Sequence, residues 1–232
     1  MNSVSTTPVL QEVRIPLAAG SLAGDLGLPQ HPRGLVLFAH GSGSGRHSAR
    51  NRQVAARLQQ AGVATLLFDL LTPQEEQVDL RTREHRFDIA LLTRRLESAA
   101  EWTRSDPRLH ELPLGFFGAS TGSAAALIAA AQLGRRVSAV VSRGGRPGLA
   151  GPAALAAVTA PTLLIVGGAD QGVLEENEEA LRHLRCASDL EIVPGASHLF
   201  EEAGALERVA ELASDWFTRH LASVAHSARD PA

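Results

Sequence analysis

Short, mainly apolar runs, each closed by a polar or glycine-rich turn, punctuate this chain at residues 35–39, 63–68, 114–117, 137–141, 161–166 and 190–193. Runs of this length predict strands, and 35–39, apolar throughout, predicts one buried on both faces, as in a parallel sheet. Between them the period changes. Val54, Leu58 and Ala61 recur at helical spacing over 49–61, and Ile89, Leu92, Leu96, Ala99 and Thr103 do so over 84–104. Val209, Leu212, Trp216 and Phe217 repeat the pattern over 206–221. Such stripes predict helices with one face against a core. Small apolar residues fill a further helix over 124–133, and a charged helix spans 174–185. Near the start, 9–17 and 21–28 flank Ala18-Ala19-Gly20 and predict an antiparallel hairpin at a sheet edge.

Strands alternating with helices predict an α/β fold. The sheet is doubly wound and mostly parallel, with about eight strands, an antiparallel N-terminal hairpin and helices on both faces. A chain of 232 residues suits one domain, over 9–222, with 1–8 and 223–232 as loose tails. Residues 70–83 read as a polar loop. About twenty residues separate Val141 from the run at Pro161, too few for an inserted cap domain.

Composition narrows the chemistry. A net charge of -3 gives no basic footprint for nucleic acid or an anionic membrane. All 22 basic residues are arginine, which removes Schiff-base chemistry, Ser-Lys dyads and a Walker lysine. Cys186 is the single cysteine, so an internal disulfide is excluded and a half-buried structural thiol is expected. No run approaches a membrane span and no signal-peptide pattern opens the chain, so a soluble cytoplasmic protein is expected. The nine histidines form no H-x-H or H-E-x-x-H pair, so no metal site is expected. His183 and His220 read as surface residues on helices.

The most informative stretch is Gly118-Ala119-Ser120-Thr121-Gly122, set between an apolar run and a helix of small residues. G-x-S-x-G in that context predicts a nucleophile elbow, whose sharp turn lifts Ser120 above the carboxyl edge of the sheet. Gly118 and Gly122 meet the steric demand of such a turn. A serine hydroxyl needs a base, and the base needs an orienting acid. Asp170 follows the 161–166 run directly, and His198 lies in the loop after 190–193; both are expected at carboxyl ends of strands, where reactive groups collect. The expected roles are Ser120 as nucleophile, His198 as general base and acid, and Asp170 as its orienter. Asp170 taken alone also reads as a helix N-cap. The expected oxyanion donors are the backbone N–H groups of Thr121 and Ser42, the latter in His40-Gly41-Ser42-Gly43.

That glycine-rich loop, with Asp69 closing the next run, also admits a dinucleotide site of an oxidoreductase. The third glycine is absent, however: Arg46 or Ser48 stands in its place, depending on the frame. Arg143, just after the 137–141 run, is expected to bind an anionic part of the substrate, with Arg81 and Arg83 adding positive potential at the rim. The alternative for these arginines is solvation or pairing with Glu75, Glu76 or Asp79.

Four stretches resemble the α/β-hydrolase superfamily, and within it the dienelactone hydrolase-like group. They are Phe38-Ala39-His40-Gly41-Ser42-Gly43-Ser44, Phe116-Phe117-Gly118-Ala119-Ser120-Thr121-Gly122, Leu164-Ile165-Val166-Gly167-Gly168-Ala169-Asp170 and Ala196-Ser197-His198-Leu199-Phe200. The resemblance spans nearly the whole chain and implies a carboxylic-ester or lactone hydrolase that needs no cofactor. Some relatives of this kind are joined to a phosphoribosyltransferase domain. Dienelactone hydrolases themselves use a cysteine nucleophile and an acidic residue on the first oxyanion loop. This chain has Ser120, and residues 40–45 hold no acid. The expectation is therefore a serine hydrolase of small esters, lactones or thioesters. The contrasting expectation is a hydrolase-fold binding or interaction module without turnover.

Overall fold

Every apolar run of the sequence becomes a strand of one eight-stranded sheet in the computed structural model, which describes residues 9–221. The strands are β1 Val9–Pro16, β2 Ser21–Leu28, β3 Leu35–Ala39, β4 Ala64–Phe68, β5 Leu114–Ala119, β6 Val137–Arg143, β7 Thr162–Gly167 and β8 Ser188–Val193. The helices are α1 Ala49–Gln60, α2 Pro73–Thr82, α3 Ile89–Ser105, α4 Thr121–Leu133, α5 Pro152–Ala157, α6 Gln171–His183 and α7 Ala205–His220. The strand order is β1-β2-β4-β3-β5-β6-β7-β8. Neighbours from β4 to β8 pair parallel, while β2 pairs antiparallel with both β1 and β4. The expected loose tails lie outside the described residues.

The continuous apolar runs follow from burial on both faces. In β3, Leu35, Leu37 and Ala39 join one core, and Val36 and Phe38 join the other. Helices α1 and α7 cover the second core, with Val54, Leu58, Val209 and Phe217 turned inward. Helices α3, α4, α5 and α6 supply the first. Because α4 packs on β5 and β6 with α3 on one side and α5 on the other, it is buried nearly all round, and its alanines let the backbones approach.

Two expectations are corrected. Residues 70–83 are not a loop, since α2 occupies most of them. The signal was Thr72-Pro73-Gln74-Glu75: the Thr72 side chain accepts from the Glu75 amide at 3.3 Å, and Glu75 accepts from the Thr72 amide at 2.7 Å. Only Asp79 of α2 is buried, so no apolar stripe announced the helix. The next helix begins at Ile89, not Glu84. The Asp79 carboxylate accepts from the amides of His85 and Arg86 at 2.9 Å each, which holds 84–88 in a turn. Asp88 then caps α3 by accepting from Leu91 N at 2.9 Å.

The strand order reverses at β3, which has β4 on one side and β5 on the other. The loops leaving the carboxyl ends of β3 and β5 therefore diverge and leave a crevice between them, the usual place for a ligand in such sheets. His40–Gly45 and Ser120 sit there.

Candidate active site

Ser120 joins β5 to α4 with φ 50° and ψ -122°, a left-handed conformation that favours glycine. Its flanking glycines are sterically obligatory. A Cβ on Gly122 would stand 2.2 Å from the Ala39 carbonyl oxygen, and one on Gly118 would stand 2.5 Å from Ser123 Cα. The strained turn is tied down by its neighbours: the Ser120 amide donates to Arg143 O at 3.2 Å, and the Arg146 amide donates to Ser120 O at 3.1 Å. Behind it, buried Ser123 and Ser142 share a hydrogen bond of 2.6 Å.

Asp170 ends the turn after β7 and occupies the N-cap of α6, yet its side chain makes no capping bond. Its Oδ2 instead faces His198 Nδ1 at 2.7 Å. This pair forms only because the β7 and β8 loops touch. A Cβ on Gly167 would come within 2.3 Å of Ala196 O. The His198 loop closes with Phe200, also left-handed at φ 56°, whose ring is fully buried. Ser120 and His198 line one cavity of about 260 Å³. Among the described residues no hydrogen bond joins their side chains, and such contacts often tighten only around substrate.

Thr121 is the first residue of α4, so its amide has no intrahelical acceptor. The Ser42 amide donates to Thr121 Oγ1 at 3.0 Å, which sets the two expected oxyanion donors side by side. His40 holds the same loop from below. Its Nε2 accepts from Leu70 N at 3.1 Å, so Nδ1 carries the proton and donates to Gly41 O at 3.0 Å. Burial pushes its pKa below the usual imidazole value.

The glycine-rich loop does not cradle a pyrophosphate. Its Ser44 and Ser48 amides donate to Gly41 O and Gly45 O, and its Arg46 amide donates to the Asp69 carboxylate at 2.8 Å. That carboxylate lies 2.8 Å from where a Gly45 Cβ would sit, and the Arg46 side chain pairs with it. Asp69 thus occupies the ground a cofactor phosphate would need.

Arg143, at the carboxyl end of β6, reaches the Ser120 cavity and is 7% exposed. Arg81 and Arg83 do not. Arg81 sits in the last turn of α2 and Arg83 just beyond it, both exposed and neither lining this cavity, because the segment coils into a helix rather than looping over the site. Arg50 was missed by sequence reasoning. It lies in the first turn of α1 and lines the cavity, a placement that no local pattern announces. Cys186 is half-buried, with Sγ 3.7 Å from Thr162 Oγ1. Among the described residues no three His, Cys, Asp or Glu side chains group as a metal site, and no helix is long and apolar enough to cross a membrane.

Comparison with known proteins identifies the family and the fold. A family model described as an alpha/beta hydrolase domain matches residues 32–218. A crystal structure titled as a dienelactone hydrolase from Anabaena variabilis is 56% identical, covers 93% of this chain and 100% of its own, and superposes with a TM-score of 0.91. Est1E from Butyrivibrio proteoclasticus shares the fold at 16% identity, with a TM-score of 0.77 over 91% of this chain and 99% of its own. Two strains of Mycobacterium tuberculosis carry a protein named "Putative phosphoribosyl transferase", 56% identical over 216 residues, or 92% of this chain and 48% of that protein. The chain thus spans about half the length of the curated relatives it matches.

Proposed function

The chain belongs to the α/β-hydrolase family, as a dienelactone hydrolase-like member, and from that premise we propose that it is a serine hydrolase of small carboxylic esters or lactones. The observation that carries the proposal is Asp170 leaving its capping position to hold His198 Nδ1 at the edge of the cavity that contains Ser120.

In this reading His198 Nε2 takes the Ser120 proton as Oγ forms a bond to the substrate carbonyl carbon. Asp170 keeps the proton on Nδ1 and offsets the charge of the imidazolium. The oxyanion is met by the Thr121 amide and by the Ser42 amide, which turns from Thr121 Oγ1 to the new acceptor. His198 then protonates the leaving oxygen as its bond to carbon breaks. Water, deprotonated by His198, attacks the acyl-enzyme and releases the acid and free Ser120. No cofactor enters these steps. Arg143 contributes affinity for an anionic group elsewhere on the substrate.

A fluorophosphonate probe tests the reading directly. Labelling is expected at Ser120, located by mass spectrometry, and should be lost in Ser120→Ala. A panel of small esters, lactones and thioesters then ranks substrates. An unlabelled protein inert on the whole panel would return the chain to the binding-module alternative.

A further inference from the structure

We propose that the Ser120 cavity receives the phosphoryl group of a small phosphorylated ester or lactone, gripped between Arg143 and Arg50 at the N-terminus of α1. The inference rests on the hydrolase reading and names the substrate class of the same site. The phosphoryl group is a handle; the bond cleaved is the carboxylic ester elsewhere in the molecule.

The first observation is a buried cation without an anion. Arg143 Nε and Nη1 are buried and have no hydrogen-bond partner among the described residues. The Phe200 ring, 6.0 Å from Cζ, is a weak substitute for a carboxylate. Arg50 Nε is likewise buried and unpartnered, and its Nη1 meets exposed Glu201 only at 3.4 Å. Burial, together with the nearby Arg50 charge, lowers the Arg143 pKa to about 10, which keeps the guanidinium charged at neutral pH. Two repelling cations share the wall of one small cavity, and no acidic side chain lines it.

The second observation is the helix itself. The start of a helix favours anions. The first turn of α1 has no acidic residue and carries Arg50 instead. A bound anion reconciles the helix terminus with the arginine, because both then face negative charge.

The third is the character of the wall. Ser42, Ser44 and Ser48 line it, and Leu199 is its one large apolar side chain. A lining of hydroxyl and guanidinium donors suits an oxyanion with several acceptor oxygens and disfavours a long acyl chain. A phosphoryl dianion matches both arginines, whereas a monocarboxylate leaves one uncompensated.

The test titrates inorganic phosphate, and separately acetate, into the intact Ser120→Ala protein by calorimetry at neutral pH and low salt. Saturable phosphate binding is expected, at least tenfold tighter than acetate. Arg50→Gln and Arg143→Gln should each weaken it at least tenfold. If Arg143→Gln does not fold, the Arg50→Gln titration decides. No phosphate binding, binding indifferent to the arginines, or acetate binding as tight as phosphate would overturn the proposal. Because Ser120→Ala cannot turn over, the result is independent of probe labelling in the wild type. Labelling without phosphate binding removes the phosphoryl handle alone. Phosphate binding without labelling keeps the anion site and removes the hydrolase reading.

Discussion

Asp170 stands at the N-cap of α6 and caps nothing, because its carboxylate is 2.7 Å from His198 Nδ1. A position that would ordinarily stabilise a helix serves a histidine on another loop. The energetic sacrifice is modest, since a lost cap costs about 1 kcal/mol.

Asp170→Asn should therefore separate catalysis from stability. The amide preserves the shape but favours the wrong imidazole tautomer, so kcat on an activated ester should fall about ten-thousandfold. The side chain that faces His198 caps nothing in either form, so α6 neither loses nor gains a cap and thermal unfolding should shift little. Activity near that of the wild type would require another orienting acid.

Removing the Ser120 hydroxyl should abolish turnover, by roughly six orders of magnitude if the three residues act as a unit. Stability should show the strain of the turn. At φ 50° and ψ -122° glycine is unstrained and alanine is not, so Ser120→Gly should exceed Ser120→Ala by about 1 kcal/mol in denaturant titration. Equal stabilities would mean that the elbow stores no backbone strain.

Gly122→Ala places a methyl 2.2 Å from the Ala39 carbonyl oxygen, with backbone on both sides of the clash. Helix propensity alone would make this change favourable. The contact should reverse the sign, at a cost above about 3 kcal/mol. A denaturant midpoint at or above that of the wild type would show that the elbow can open to admit the side chain.

Acid should weaken the fold through His40. An unfolded imidazole titrates near 6.5, and burial keeps folded His40 below that value. Below pH 6.5 the unfolded chain takes up a proton that the native state refuses, so stability falls with pH until the lower, folded pKa is passed. Protonation would also break the bond from Leu70 N. Melting curves from pH 7.5 to 5 should show a steeper loss in the wild type than in His40→Gln, even though the variant starts less stable. Parallel curves would dismiss His40 as the titrating group.

Arg143 should be a destabilising residue in the free protein. A buried charge without a partner costs more than an apolar side chain of similar length. Arg143→Met should raise stability by about 1 kcal/mol or more. The ratio of kcat/KM for phosphorylated over neutral esters should fall in the same variant. A variant less stable than the wild type would mean that the guanidinium supports the fold itself.

Much of this was legible beforehand. The inner strands announced themselves because burial on both faces leaves little room for a polar residue, as β3 and β5 show, whereas the edge strand β8 is half-exposed and keeps Asp189 and Glu191. The elbow was legible because its glycines answer backbone contacts within a few residues or at the neighbouring strand end. Helix α2 was not, since it buries only Asp79 and is held by capping and ion pairs. Arg81 and Arg83 were misplaced for that reason. Arg50 was invisible because its importance lies in what α1 faces across the crevice, which the order of strands decides. The occupation of the glycine loop by Asp69 depends on a carboxylate 23 residues away turning back along the β4 edge.

The backbone at residue 120 also acts as a filter on the nucleophiles that this lineage can explore. A side chain branched at Cβ is a conformational outlier at positive φ, so threonine is barred even though its hydroxyl could react. Serine and cysteine are both unbranched and both fit. Exchange between oxygen and sulfur chemistry is thus one substitution away and leaves the turn intact, and the same holds for a carboxylate nucleophile on aspartate, which is also unbranched at Cβ. Under the proposed hydrolase reading, the barrier between serine and thiol chemistry lies with His198, Asp170 and the oxyanion donors, which must match the new atom's acidity and bond lengths, and not with the architecture that presents it.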